Sequence, residues 1–477
     1  MAKIAIIGAG FAGHTAALYL GDKLGKTHEI TVINRYDFFG YIPSWVWVGI
    51  GTMKPEQTTF KLKPVYDKFN IRFIEGKATE IHPDDNYIVV EPKNPSDPTQ
   101  VGYDYLLIAT GPKLNFANTE GLGPDAGNTY SICTLPHAVQ ARDKYLEMVA
   151  RMEQGENIKM VIGTGHAGAT CQGAVVEYIS NINKDLIRRK IRDKAELVYL
   201  SNEREVGDFG IRGLQANYKG SLTSSEAFMT AVFEDAGIDI QVQKAVHKVD
   251  DKKIYWENFE GEYGEMSYDF ATLVPQFTGI PFKYIGKDGE DVSDKLVNKA
   301  GFVLVDGIYG LSHEELSQNP DAWPAVYQNP NYRNIFAAGI AFAPPGSISV
   351  PHQTKNGTMI TAAPPRTGMV SGIIGRIVAK NLIDLIEKGR MTHSERMTEM
   401  AAACIASMGD SLWDGSAAVI LVHPVVPDFR KYPNESGRDL FVTHMEMGLS
   451  GAWMKRLIHS TFIHKLRGRI GWKIIPE

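Results

Sequence analysis

Three cysteines occur among 477 residues: Cys133, Cys171 and Cys404. So small and odd a number excludes a structural disulfide framework, and any pair among them is better suited to chemistry than to architecture. Cys133 and Cys171 lie too far apart for a CxxC redox motif and fit no zinc spacing, so the fold must bring them together if they act together. Cys171 follows a glycine-rich loop and is expected early in the next helix, where the helix dipole favours a thiolate. Cys404, in the apolar run Met400–Ala406, reads as a buried small hydrophobe on a helix. His166 in that loop and Glu177 on that helix are candidates for moving protons. Each has a plainer reading, as a loop-capping imidazole and as a helix-packing or exposed carboxylate. Neither HExxH nor a P-loop lysine motif occurs, and the thirteen histidines show no ligand spacing, so no metal is expected.

Two strand–loop–helix units must position these groups. Lys3–Ile7 is a short, mostly β-branched apolar run, the pattern of a buried parallel strand. Gly8-Ala9-Gly10-Phe11-Ala12-Gly13 and a helical pattern follow it. Gly8 suits the tight turn, Gly10 lets backbone approach a pyrophosphate, and Gly13 lets the helix pack close. The helix N-terminus then faces the phosphates. After the next strand, Glu29–Ile33, the usual acidic ribose ligand is replaced by Asn34, with Arg35 beside it. The second unit runs from Lys159–Gly163 through Gly163-Thr164-Gly165-His166-Ala167-Gly168 to Cys171, with Leu197–Leu200 as its next strand. In a pyridine-nucleotide enzyme this second loop binds NAD(P)H, here with Glu203 available to the ribose.

Three further segments carry a resemblance. Tyr103–Gly111, with its Ala109-Thr110-Gly111 ending, Gly76–Ile81 and Asn334–Gly339 resemble, in order, elements of the two-domain flavoprotein disulfide-reductase superfamily. The resemblance implies FAD on the first loop. It carries cofactor contacts onto Gly8, Gly10, Phe11, Ala12, Gly13, Asn34, Arg35, Pro43 and Ala78. It extends them to Ala109, Thr110, Gly111, Gly339, Ile340, Arg366 and Thr367.

Within that superfamily, Ser131-Ile132-Cys133-Thr134 followed by His137-Ala138 is similar to the sulfide:quinone oxidoreductases. So is a cysteine after the second glycine loop leading to Gly173-Ala174 and Glu177-Tyr178. Flavocytochrome c sulfide dehydrogenase flavoprotein subunits and type II NADH dehydrogenases are neighbouring families. Ile340 stands where the NADH dehydrogenases carry an acid, and Pro365-Arg366-Thr367-Gly368 resembles the Pro-Lys-Thr-Gly element of the sulfide enzymes. The resemblance implies oxidation of sulfide to polysulfide or sulfur through a Cys133/Cys171 pair, with electrons passing by way of FAD to a membrane quinone. Most of the family carry a third cysteine shortly before the Pro-Lys-Thr-Gly element, and Pro351–Pro365 contains none. Two alternatives stay open: a type II NADH:quinone oxidoreductase, and a flavin-holding relay subunit without a substrate of its own.

The expected fold class is α/β, with two tandem Rossmann-like dinucleotide-binding domains and a C-terminal membrane-associating region. An FAD domain is expected over residues 1–112 and 275–385, a second Rossmann-like domain over 113–274, and the C-terminal region over 386–477. The net charge of −5 gives no reason to expect nucleic acid. The first strand begins so early that no cleavable signal peptide is expected. No apolar stretch is long enough to span a membrane. Gly451–Lys465 reads as an amphipathic helix with Trp453, Met454, Leu457, Ile458 and Phe462 on one side and Lys455, Arg456 and His459 opposite. That pattern suits an interfacial anchor, or else a surface helix packed on the FAD domain. Peripheral, monotopic attachment on the cytoplasmic face is expected, and a homo-oligomer is left open.

Overall fold

The computed structural model describes residues 1–365, 367–409, 411 and 413–477. The elements that position the site begin with strand β1 (Lys3–Ile7), helix α1 (Phe11–Leu24) and strands β2 (Glu29–Asn34), β3 (Arg72–His82) and β4 (Tyr105–Ile108). Helix α2 (Leu135–Glu153), strand β5 (Ile158–Thr164), helix α3 (Gln172–Arg189) and strands β6 (Ala195–Leu200), β7 (Ile238–Gln241) and β8 (Phe270–Val274) form the second unit. The chain then supplies strand β9 (Ile335–Ala337), helix α4 (Gly368–Lys388), strands β10 (Ala402–Met408), β11 (Ser416–Val422) and β12 (His444–Gly448), and helix α5 (Leu449–Leu466).

In the first sheet the order is β9-β4-β1-β2-β3, extended antiparallel by Tyr87–Pro92 and Gln100–Gly102. β1 pairs in parallel with β2, Lys3 opposite Glu29, and with β4, Ile4 opposite Tyr105. Both its faces are covered, so Ile4, Ala5, Ile6 and Ile7 are all buried, which explains an apolar run without alternation. β9 pairs with β4, so the chain leaves this sheet after Ile108 and returns more than two hundred residues later to complete it. The second sheet has the order β7-β6-β5-β8, all parallel. The strand ends of both sheets lead into glycine loops, as ligand-binding α/β sheets require.

A third sheet joins the hairpin Gln215–Tyr218/Ser221–Ser224 to β12, β11 and β10. Here the expectation for Cys404 is corrected: Met400–Ala406 is not helical, and Cys404 lies on β10 opposite Ile420. Alanines give this run a helical bias, but pairing along the β-branched strand β11 outweighs a local preference of a few tenths of a kcal/mol per residue. β10 rests against α3, and α5 against β10 and β11. Among the described residues no helix is long and apolar enough to cross a membrane.

Candidate active site

At the first loop Gly8 adopts φ +100°, and a Cβ there would fall 2.4 Å from the Ala109 carbonyl oxygen, so the turn needs glycine. α1 starts at Phe11, with Gly10 as N-cap and no side-chain cap, leaving its first amides without partners from a side chain. Gly10 is exposed, and nothing lies within 4 Å of the position its Cβ would take. Gly13 and Ala12 follow inside the buried first turn. Asn34 accepts from the Ala9 amide (3.0 Å) and donates to the Tyr36 carbonyl (2.7 Å), which braces the loop; Arg35 is exposed beyond it.

Other predicted cofactor residues converge on this loop. Ala109, Thr110 and Gly111 follow β4, directly beside Gly8. Gly339 and half-buried Ile340 follow β9, and the Cβ position of Gly339 is 3.0 Å from the Ala12 methyl. Phe11 packs edge-on to Phe39 and Tyr41, beside the Ile42–Ser44 turn that holds Pro43. Ala78 is buried on β3. Thr367 is the N-cap of α4, and its buried hydroxyl has no hydrogen-bond partner. Arg366 lies outside the described residues. An open glycine cradle at one helix N-terminus and an orphaned hydroxyl at another suit a ligand with phosphates and a second polar group, as FAD has. His14, just past the loop, is structural. It is fully buried between the Tyr66 hydroxyl (2.9 Å) and the Leu466 carbonyl (2.6 Å), and burial lowers its pKa to about 4.

At the second loop the three cysteines gather. Cys171 is the N-cap of α3 rather than a residue within it, in a left-handed conformation (φ 69°, ψ 33°) uncommon for a side chain with a Cβ. The Thr170 hydroxyl anchors it to the Ala363 carbonyl at 2.9 Å. Cys133 immediately precedes the N-cap of α2, its amide donating to Ser131 Oγ (3.1 Å). All three side chains pack against one continuous core and none is bridged. Cys404 Sγ sits 3.0 Å from the position a Cβ on Gly173 would take. The expected dipole-stabilised thiolate is corrected. Burial, followed by the neighbouring Cys133 sulfur, pushes the Cys171 thiol up to about 12. Burial also pushes Cys133 and Cys404 up to about 11. Desolvation disfavours the charged form and here outweighs the helix end.

The two proton-handling candidates part company. His166 Nδ1 accepts from the Gly168 amide (2.9 Å), and burial lowers the ring's pKa, so it acts as a neutral cap on its own loop. Glu177 is buried and points toward β10. It accepts from Ser407 Oγ (2.6 Å) and from Lys455 Nζ (2.9 Å), and Lys455 also donates to the Ile405 carbonyl (3.0 Å). The Trp47 indole N–H donates to the same Ser407 hydroxyl (3.0 Å). Sequence reasoning placed Lys455 only on the polar side of the last helix and missed it and Ser407 as partners of Glu177, because each meets Glu177 from more than two hundred residues away.

The second loop differs from the first in ways that bear on nucleotides. Its helix begins only at Gln172, so the N-terminus is capped by Cys171 instead of opening at the glycines. A Cβ on Gly165 would strike the Leu122 side chain at 2.7 Å, where its counterpart Gly10 faces open space. The segment around Thr361 covers the loop: Thr361 and Ala363 amides donate to the Ala167 and Ala169 carbonyls (both 3.0 Å), and Asn202 Nδ2 bonds Ala167 (2.9 Å). Glu203 is no ribose ligand here. It has no exposed surface and accepts from Tyr199 Oη (2.5 Å), Ser201 Oγ (2.7 Å) and the Phe209 amide (2.7 Å), with burial raising its pKa to about 7.

α5 turns its polar side inward. Lys455 is buried on Glu177, His459 Nδ1 meets Ser44 Oγ at 2.7 Å, and Arg456 lies over the Trp47 ring. Trp453 and Leu457 are left 51% and 62% exposed, with Met454 exposed beside them; Ile458 and Phe462 are half-buried.

Comparison with known proteins agrees with this architecture. Residues 2–183 match the family model for pyridine nucleotide-disulphide oxidoreductases. With its two dinucleotide-type units, the chain has the α/β fold of those enzymes and is a flavoprotein oxidoreductase with FAD as its cofactor. It is similar along almost its whole length to the sulfide-quinone reductase of Aquifex aeolicus, 27% identical over 98% of this chain and 92% of that protein. The solved sulfide:quinone oxidoreductase structure from that bacterium superposes with a TM-score of 0.78 at 26% identity, covering 98% of this chain and 92% of that one. The Plasmodium falciparum NDH2 structure in complex with NADH, at 13% identity and a TM-score of 0.66, covers 99% of this chain and 97% of that one and shares the fold. The expected resemblance to the sulfide:quinone oxidoreductases therefore holds.

Proposed function

We propose that this protein oxidises sulfide and passes the electrons to a quinone, with Cys133 and Cys171 as the reacting sulfurs. One observation carries the reading: the helix N-terminus of the second loop, which would otherwise meet a nucleotide phosphate, is capped by a cysteine lying beside two others. FAD, when bound, supplies a two-electron acceptor; Gly8, Gly10, Gly13, Asn34 and Thr367 are the residues placed to hold it, the N-terminus of α1 serving its pyrophosphate.

The protein's own part is thiol–disulfide exchange. In the oxidised site Cys133 and Cys171 share a disulfide. Hydrosulfide attacks one sulfur, so that a new S–S bond forms, the old one breaks, one cysteine holds a persulfide and the other leaves with the bonding pair as a thiolate. Burial makes a thiol here a poor acid, but exchange delivers the thiolate directly, without deprotonation by a base. A thiolate whose parent pKa lies near 11 or 12 is strongly nucleophilic because nucleophilicity rises with basicity. Cys171 keeps its strained geometry through the Thr170 hydroxyl, a way of aiming one sulfur that a relaxed helical residue lacks.

NADH as donor is the weaker reading, since Leu122, Asn202 and the Thr361 segment occupy the second loop and Glu203 is wholly engaged. We assign quinone and membrane contact to the side bearing Trp453 and Leu457, on the exposure of an apolar helix face whose charged residues are turned inward. The domain limits of residues 112/113, 274/275 and 385/386 are part of the same proposal. The test is sulfide-dependent reduction of a short-chain quinone by Cys133→Ser and Cys171→Ser. Both variants should bind FAD and lose turnover. Turnover kept by both would refute the sulfur pair.

A further inference from the structure

The two-sulfur scheme leaves Cys404 without a task, yet the fold spends a strand to bring it to the others. β10 rests on α3 with Cys404 at the first turn, where its sulfur fills the space that a side chain at Gly173 would take, 3.0 Å from that Cβ position. Gly173 is two residues past Cys171. Residue 173 therefore cannot carry a larger side chain while Cys404 stays where it is, and the gap left by the missing Cβ opens one sulfur toward the N-cap of the other. Beyond Cys404 lies the buried Glu177–Lys455 pair, closed by Ser407 and the Ile405 carbonyl of the same strand. The two charges act on the Cys404 thiol in opposite senses, the carboxylate raising its pKa and the ammonium lowering it. The segment 351–365, which covers the second loop, contains no cysteine. Among the described residues, then, Cys404 is the third sulfur available to this site.

We propose that Cys404 is a sulfane-sulfur acceptor that unloads Cys171 between turnovers, an inference that rests on the sulfide reading above. When the persulfide is on Cys171, the Cys404 sulfur attacks its outer sulfur. The S–S bond at Cys171 breaks and an equivalent bond forms at Cys404, while the Cys404 proton ends on the Cys171 sulfur. One persulfide and one thiol become one thiol and one persulfide, so no electrons enter or leave and no further reactant is needed. Lys455 Nζ, held against Glu177 and the β10 backbone, acts on the Cys404 sulfur in the sense that favours negative charge and offsets part of the opposing effect of Glu177. Cys171, now a thiol, is then free to rejoin Cys133; re-forming that disulfide releases one proton and two electrons, which bound FAD would accept and pass to the quinone, so that the next hydrosulfide meets a restored pair.

The experiment is peptide mapping of the FAD-loaded enzyme after brief exposure to sulfide and a short-chain quinone without air, with thiols and persulfides capped by an alkylating agent. The expected result is a Cys404 peptide heavier by one or more sulfur atoms, appearing after the Cys171 peptide has gained its own. In Cys404→Ser, sulfur should build up on Cys171 and successive turnovers should slow. Mapping the unaltered protein needs no variant, so the answer survives if Cys404→Ser folds poorly. A Cys404 peptide found only as the plain capped thiol, while Cys133 or Cys171 carries extra sulfur, overturns the relay and leaves the two-sulfur scheme standing. Absence of added sulfur from all three peptides, with the flavin unreduced by sulfide, overturns the scheme and the relay together.

Discussion

Among individual residues, the buried pair Glu177–Lys455 is the one whose removal has the clearest consequence. Both side chains are 8% exposed and each satisfies the other, with Ser407 and the Ile405 carbonyl closing the remaining valences. Replacing one partner strands the other charge in a desolvated site, which costs about 3–5 kcal/mol. Glu177→Gln should therefore lower stability toward urea by that amount, and Glu177→Gln combined with Lys455→Met should recover most of it. Equal destabilisation in the single and double variants would show that the pair is not coupled. The sequence pointed to Glu177 as a proton-handling group or a packing carboxylate, and the buried ion pair favours packing. It could not show the partner, because no spacing rule links a residue on α3 to one on the last helix. Cys133 and Cys171 were legible from the motifs around them. The state of their thiols was not, since a helix-end argument considers one field and omits the surrounding low-dielectric protein.

Helix ends and strand pairings govern the next level. His14 ties the first turn of α1 to the end of α5 through the Leu466 carbonyl, and it does so as a neutral ring. Its folded pKa is near 4 against an ordinary value of 6.5, so the unfolded chain binds the proton more tightly. The stability it contributes is present above pH 6.5 and is lost as pH falls from there through 4, a loss on the order of 3 kcal/mol. Thermal unfolding followed from neutral pH to pH 4 should show this decline, and His14→Gln should flatten it. An unchanged slope in the variant would place the acid sensitivity elsewhere. Strands β1 and β2 with the loop between them could be read directly, because a doubly covered parallel strand and its glycine turn both leave local patterns. β10 could not: its alanines favour helix, and only the partner strand β11 decides otherwise.

For the molecule as a whole, the three sheets bring residues from both ends of the chain to one place. β9 completes the sheet begun by β1, and α5 locks its charged side onto Trp47, Ser44 and Glu177 while presenting Trp453 and Leu457 outward. On the proposed membrane contact, with Lys455 buried on Glu177 and Trp453 and Leu457 exposed, apolar burial rather than attraction to anionic lipid would be the driving force. Sedimentation with zwitterionic phospholipid vesicles should thus occur, change little with salt, and be weakened in Trp453→Ser and Leu457→Asp. Strong salt dependence would point instead to charge. The central claim, that sulfur rather than nicotinamide feeds the flavin, is tested most directly by anaerobic titration of the FAD-loaded protein followed by flavin absorbance. Sulfide should bleach the flavin within the time of mixing and NADH should leave it oxidised; bleaching by NADH with indifference to sulfide would contradict the account.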